Sequence, residues 1–113
     1  MNEREPKVYR GVPAAPGRAK GPAHVLRHAG DEAAIPAGAI VVARILHPHL
    51  SPLFFRVGGV IVEEGALLQH ATTLARELGV PAVIGLRGAT ESFRTGEVIE
   101  VWGDTGEVFS SCS

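Results

Sequence analysis

The apolar residues of this chain fall into short runs divided by glycine and proline, and the spacing inside each run separates strand from helix. Ala39-Ile40-Val41-Val42-Ala43 is unbroken and rich in β-branched residues, the pattern of a strand covered on both faces. Val60-Ile61-Val62 and Ala82-Val83-Ile84 read the same way. Between them, Ala71, Leu74, Ala75 and Leu78 fall at i, i+3, i+4 and i+7. That spacing puts one packed stripe on a helix over about 70–78, with Gln69, Thr72, Thr73, Arg76 and Glu77 on its other side. Gly79 and Pro81 stop the helix, because glycine accepts the left-handed conformation past a helix end and proline cannot continue one. Residues 60–84 are therefore predicted to form a βαβ unit, parallel and right-handed.

The remaining segments are shorter. Residues 22–26 predict a strand, and Gly30-Asp31-Glu32 and Pro36-Ala37-Gly38 predict turns. The glycines and prolines of Gly11-Val12-Pro13-Ala14-Ala15-Pro16-Gly17 forbid regular helix and predict a shaped loop. His47-Pro48-His49-Leu50-Ser51-Pro52 predicts a second loop, in which Ser51 caps and Pro52 opens a short helix through about Phe55, closed off by Gly58-Gly59. Glu63-Glu64-Gly65 is a predicted turn. Thr95-Gly96-Glu97-Val98 returns as Thr105-Gly106-Glu107-Val108, so strands over 98–102 and 107–109 are predicted to form a hairpin around Asp104-Thr105-Gly106. This echo is turn chemistry, too short to be a repeat architecture. Residues 1–6 are expected to be a disordered N-terminal arm, 7–110 the folded domain and 111–113 a frayed C-terminal tail.

Composition narrows the class. A chain of 113 residues that is 45% hydrophobic is one domain able to bury a core without metals or disulfides. Eleven basic against twelve acidic side chains, with no basic block, argue against nucleic acid or an anionic membrane as a partner. Cys112 is the only cysteine, which excludes an intrachain disulfide and suits a reducing compartment. The polar start and the lack of any apolar run near the ~20 residues of a membrane span point to the cytoplasm.

Candidate chemistry centres on His70, placed where a loop becomes a helix. The first backbone N–H groups of a helix lack partners and carry the positive end of its dipole, so an anionic group held nearby would meet donors. Taken alone, His70 is either a capping or core histidine satisfied by hydrogen bonds or a nucleophile presented at the helix start. His47 and His49 could join His24 or His28 around a metal, but no cysteine pair or His-Glu-x-x-His spacing supports one, and none is expected. Glu63, Glu64 and Glu77 are explained by a solvated turn and an exposed helix face. Arg76 lies about 240° around the helix from His70, so a structural ion pair is expected of it rather than contact with a group on His70. No Gly-x-x-x-x-Gly-Lys-Ser/Thr phosphate loop occurs.

From Gly11 to Phe109 the chain resembles the mobile phosphohistidine domain of phosphoenolpyruvate-utilising enzymes, the family of pyruvate phosphate dikinase, phosphoenolpyruvate synthase and Enzyme I. The resemblance rests on an ordered set: Gly11-Val12-Pro13, Pro16-Gly17, Ile40-Val41-Val42-Ala43, Pro48, Pro52, Gly59, Gly65, His70-Ala71, Ala75-Arg76-Glu77-Leu78-Gly79-Val80-Pro81-Ala82-Val83, and Gly96 with Val98. It implies an α/β fold of the swivelling β/β/α type, with a parallel core sheet, helices on one side and additional antiparallel strands. It implies that His70 is the phosphohistidine nucleophile, with Gly65, Gln69, Ala71, Thr72, Thr73 and Arg76 in support. It also implies that the chain binds no cofactor itself and is a phosphotransferase component, not a complete enzyme. The donor, ATP or phosphoenolpyruvate, would be held by a partner: an ATP-grasp-type nucleotide-binding domain, a phosphoenolpyruvate-binding domain, or both, on another chain. Two positions depart from the family. Gln69 stands where Ser, Thr or Cys is common, and glutamine is the poorer helix cap; Thr73 stands where an aliphatic residue is usual. Gln69 is the best support for a rival reading, a non-catalytic binding or regulatory module that keeps the fold without phosphotransfer.

Overall fold

The computed structural model describes residues 7–28, 30–65 and 69–110. Its elements in chain order are β1 (Lys7–Arg10), β2 (Val12–Ala15), β3 (Arg18–Leu26), a 3₁₀ turn over Asp31–Ala34, β4 (Ile40–Ala43), a 3₁₀ helix over Pro48–Phe55, β5 (Gly59–Val62), α1 (Gln69–Leu78), β6 (Ala82–Ile84), α2 (Ala89–Ser92), β7 (Val98–Trp102) and β8 (Glu107–Ser110). The expected arm and tail, and residues 66–68, lie outside the described residues.

The apolar runs do form the parallel heart of the sheet. β3, β4, β5 and β6 lie side by side in register, with Ala23 opposite Ile40, Val41 opposite Val60 and Ile61 opposite Val83. Every residue of β4 and β5 is buried, as strands covered on both faces must be. Alternation then sorts their side chains into two cores. Val41, Val60, Val62 and Ala82 face one core, beneath α1 and the long 3₁₀ helix, together with Leu50, Phe54, Ala71 and Ala75. Ile40, Val42, Ile61 and Val83 face the other, against Phe93 just past the short helix α2 and against Ile99, Val101 and Val108 from the antiparallel part of the sheet. The expected architecture is observed: parallel core, α1 on one side, antiparallel strands on the other. The short α2 belongs to the second side, through the buried Ala89. β5, α1 and β6 form the anticipated parallel βαβ unit.

The antiparallel strands extend further than the hydrophobic pattern suggests. β7 and β8 pair as the predicted hairpin, from Trp102 opposite Glu107 to Ile99 opposite Ser110. β3, expected only over 22–26, begins at Arg18, because residues 18–22 pair antiparallel with β7 before residues 23–26 switch to parallel pairing with β4. Residues 7–15 make the same change of partner: β1 pairs with β8 and β2 with β6. The expected loop at 11–17 is thus corrected to a strand over Val12–Ala15. Pro13 is compatible with it because β2 is the edge strand and its register shifts between Pro13 and Ala15.

These two corner segments curl the eight strands, ordered β1-β8-β7-β3-β4-β5-β6-β2, until the two ends of the sheet are joined by one residue, Gly11. Its N–H donates to the Gly106 carbonyl at 2.8 Å. A Cβ on Gly11 would lie 2.6 Å from the Ile84 carbonyl oxygen and 2.7 Å from Val83 Cγ1, so the closure leaves no room for a side chain. One further expectation is corrected. The helix near Phe55 is 3₁₀, begins at Pro48 rather than at a Ser51 cap, and has no side-chain cap at His47; proline suits the first position because it has no N–H to leave unsatisfied there. Among the described residues no helix is long and apolar enough to cross a membrane.

Candidate functional site

Parallel pairing brings the carboxyl ends of β3, β4, β5 and β6 to one edge of the sheet, the edge at which open parallel sheets place their ligands. The segments leaving that edge are laced together by backbone. Glu63 N–H donates to the Ala43 carbonyl at 3.0 Å, Glu64 N–H to Arg44 at 3.1 Å, and Gly85 N–H to Glu64 at 2.8 Å. This ledge carries Gly65, which is exposed; a Cβ built on Gly85 would come within 3.9 Å of the Gly65 Cα. From Gly65 the chain passes to α1, whose first described residues are Gln69 and His70.

Both side chains are exposed. What fixes them is the opposite face of the same helix. Ala71 is 6% exposed and Ala75 fully buried, with Leu74 packed against the same core. Alanines at these positions let the helix axis approach the sheet closely. Thr72 is half-buried and Thr73 exposed. The far end is locked by a Schellman arrangement: Gly79 adopts φ +72°, its N–H donates to the Arg76 carbonyl at 3.3 Å, and Val80 N–H donates to Ala75 at 2.8 Å. Val80 then joins the core beside Ala75. His70 thus stands in the first described turn of a helix pinned along its stripe and at its far end, and the start of a helix is where its dipole favours an anion.

Two expectations about this helix are corrected. Leu78, assigned to the packed stripe, is 40% exposed, because the chain turns away at Gly79 before a fourth contact with the sheet is made. Among the described residues Arg76 makes no ion pair; its Nε–H donates to the Ala14 carbonyl of β2 at 3.3 Å, satisfying an edge-strand acceptor instead. Among the described residues the ion pairs are Arg10 with Glu107 and Arg44 with Glu64, each at 3.6 Å.

Glu63, read as part of a solvated turn, is half-buried and ties the ledge to α2. Its carboxylate accepts the Thr90 hydroxyl at 2.5 Å and the Thr90 N–H at 2.8 Å. Those donors, the hydroxyl first, hold its carboxyl below the ordinary carboxylate value. Asp31 does similar work after β3: its Oδ2 accepts the backbone N–H groups of Arg27 at 2.8 Å and His28 at 2.9 Å, which lowers its carboxyl as well. The two anchors frame a cleft of about 560 Å³ beyond β3 and β4, lined by groups from both loops and from Thr90. Sequence reasoning weighed His28, His47 and His49 only as metal ligands and missed Arg27 and Arg44. The signal that could have found them was their position, each just past the end of a strand in the parallel run. Among the described residues no three His, Cys, Asp or Glu side chains are grouped to hold a metal ion.

The comparisons with known proteins agree with this geometry. The chain is 40% identical over 98 residues to the rifampicin phosphotransferase of Streptomyces sviceus, covering 87% of this chain and 11% of that protein. It is 34% identical over 102 residues to a probable phosphoenolpyruvate synthase of Methanothermobacter thermautotrophicus, covering 90% of this chain and 15% of that one. Against the solved structures, an Enzyme I solution structure superposes with a TM-score of 0.59 at 30% identity, covering 66% of this chain and 31% of that chain. The chain thus spans a small part of the curated relatives it matches. Residues 35–106, which contain β4 through β7 and His70, match the model of the PEP-utilising enzyme mobile domain. With the parallel core, the pinned helix and the ordered motif in agreement, the chain belongs to the family of PEP-utilising enzyme mobile domains.

Proposed function

We propose that this domain is a phosphoryl carrier that accepts a phosphoryl group on His70 at one active site and donates it at another. The observation that carries the reading is the exposure of His70 in the first turn of α1 while Ala71 and Ala75 of the same turns are buried. The unprotonated ring nitrogen uses its lone pair to form a P–N bond as the bond from phosphorus to the donor's leaving oxygen breaks. The other ring nitrogen then releases its proton to solvent, leaving a phosphoramidate whose ring is neutral and whose phosphoryl oxygens keep their negative charge. The N–H groups of the first turn are suited to the phosphoryl oxygens, and the helix dipole favours their charge. Donation is the reverse: an acceptor oxygen attacks phosphorus and the imidazole leaves with a proton.

The chain contains no nucleotide-binding loop, so a donor such as ATP or phosphoenolpyruvate would be bound by a partner, an ATP-grasp-type nucleotide-binding domain or a phosphoenolpyruvate-binding domain, in the cytoplasm. Gln69, exposed beside His70 where the family commonly has a short hydroxyl side chain, favours a second reading, a binding module without transfer. Incubation with the nucleotide- and phosphoenolpyruvate-binding domains of a phosphoenolpyruvate synthase, with ATP or phosphoenolpyruvate, followed by intact mass, separates the two. The carrier gains one phosphate that is labile in acid and stable in alkali, His70→Ala abolishes it, and Gln69→Thr keeps or raises its rate. Phosphate on Thr72 or Thr73 that survives His70→Ala would refute the mechanism, and no modification by any donor would leave the binding module.

A further inference from the structure

The cleft beyond β3 and β4 has a composition that phosphoryl carriage on His70 does not use, and His70 is not among the residues that line it. We propose that it binds a small phosphate ester, as a site of its own on this domain. Arg27, His28, Arg44, His47 and His49 converge there against a single carboxylate, Glu32, which already accepts the Gly30 N–H at 3.2 Å. Two guanidiniums and three imidazoles set against one carboxylate make a wall rich in N–H donors, which is matched by an anion with several acceptor oxygens.

The donors are held in place from behind. Asp31 fixes the backbone at Arg27 and His28 through its two hydrogen bonds, and the Arg27 guanidinium donates to the Thr90 carbonyl. A guanidinium has five donors, so this tether orients the fork and leaves the others free. Arg44 pairs with Glu64 at 3.6 Å through one terminal nitrogen, and with its side chain 68% exposed the rest of its fork is open to an anion. Glu63 and Glu64, the other carboxylates of the neighbouring ledge, are engaged with Thr90 and Arg44 respectively.

The remaining surface selects an ester over a bare ion. Leu26, Ile45 and Leu50 line the cleft, and the His47 and His49 rings lie 5.9 Å apart and 22° from parallel, a flat surface for an organic body. Concavity and the near-neutral charge of the whole chain disfavour a long polyanion, which is recognised by extended basic surface. Carriage on His70 is not required for this site, so the two readings fail separately.

The test is a titration of the intact chain with AMP, inorganic phosphate and acetate, followed by amide nuclear magnetic resonance shifts. AMP should produce saturable shifts at Arg27, His28, Arg44, His47, His49 and Thr90. Its dissociation constant should rise about tenfold or more in Arg44→Gln and in the His47→Gln, His49→Gln double variant, and stay unchanged in His70→Ala. All these side chains except Thr90 are exposed, and spectral dispersion reports whether each variant remains folded. Phosphate should bind at the same residues more weakly than AMP, and acetate should leave them unmoved. The proposal is overturned by the lack of saturation up to roughly 10 mM AMP, by acetate binding as well as AMP, by AMP binding no tighter than phosphate, or by shifts confined to the start of α1.

Discussion

The hold on His70 depends on how α1 ends, and Gly79 allows that dependence to be measured cleanly. Its φ is +72°, and among the described residues a Cβ built on it meets nothing within 4 Å, so Gly79→Ala adds no clash with them and reports the backbone cost. Placing an L-alanine in that conformation costs about 1–2 kcal/mol, and a β-branched valine up to ~3 kcal/mol. With a urea slope of roughly 2 kcal/mol per molar for a chain of this size, alanine should lower the midpoint by about 0.5–1 M. Asparagine, which tolerates the left-handed region, should lose less than alanine. Gly65 supplies the control: among the described residues a Cβ there also meets nothing within 4 Å, but its φ lies outside the left-handed range, so Gly65→Ala should stay within ~0.5 kcal/mol. Urea denaturation followed by circular dichroism gives the midpoints of wild type and of each variant. Equal midpoints for wild type and Gly79→Ala would show that the Schellman arrangement does not hold the helix end, and the account of how His70 is positioned would fail with it.

Two further outcomes follow from other positions. Gly11→Ala should destabilise the domain by roughly 1–3 kcal/mol, because its Cβ would press on the Ile84 carbonyl 2.6 Å away, and an unchanged thermal midpoint would mean that the closure there is loose. Thr90→Val removes the hydroxyl that does most to depress the Glu63 carboxyl. A depressed carboxyl contributes stability that is present above its ordinary value of 4.5 and is lost as the pH falls through the lower, folded-state value. The advantage of wild type over Thr90→Val should therefore be full near neutrality and shrink on acidification below that value; a constant gap in urea midpoints across this range would sink the assignment.

Sequence pattern was most informative where burial decides structure. Ile40-Val41-Val42-Ala43, the stripe of Ala71, Leu74 and Ala75, and the stop at Gly79 all name the element they form, since each is a run or a period with a breaker at its end. The segments it misread are those held by pairing rather than by burial. Residues 12–15 contain a proline and expose Val12, yet they form a strand because β6 offers a free edge. Residues 18–22 alternate weakly and are extended because β7 lies beside them. Of the candidate site, His70 was legible from its place at a helix start, and its neighbours on that helix from the wheel. Arg27 and Arg44 come from the segments after β3 and β4 and Thr90 from α2, and the parallel order of the strands brings them to one cleft.

The closure at Gly11 makes the two outer strands of the sheet a single piece of chain. Lys7, Arg10 and Pro13 sit on those strands, the kind of residues that discourage a foreign strand from adding to an edge. Peeling away residues 7–15 would bare β8 and β6 at once, each with its ladder of N–H and C=O groups unmatched. An ordinary open sheet that frays at one terminus exposes one adhesive edge and can at most pair off; this domain would expose two and could propagate. The same nine residues that shape the corner therefore also guard against self-association, and any shortened version of the domain that begins after Ala15 should be judged first by its solubility.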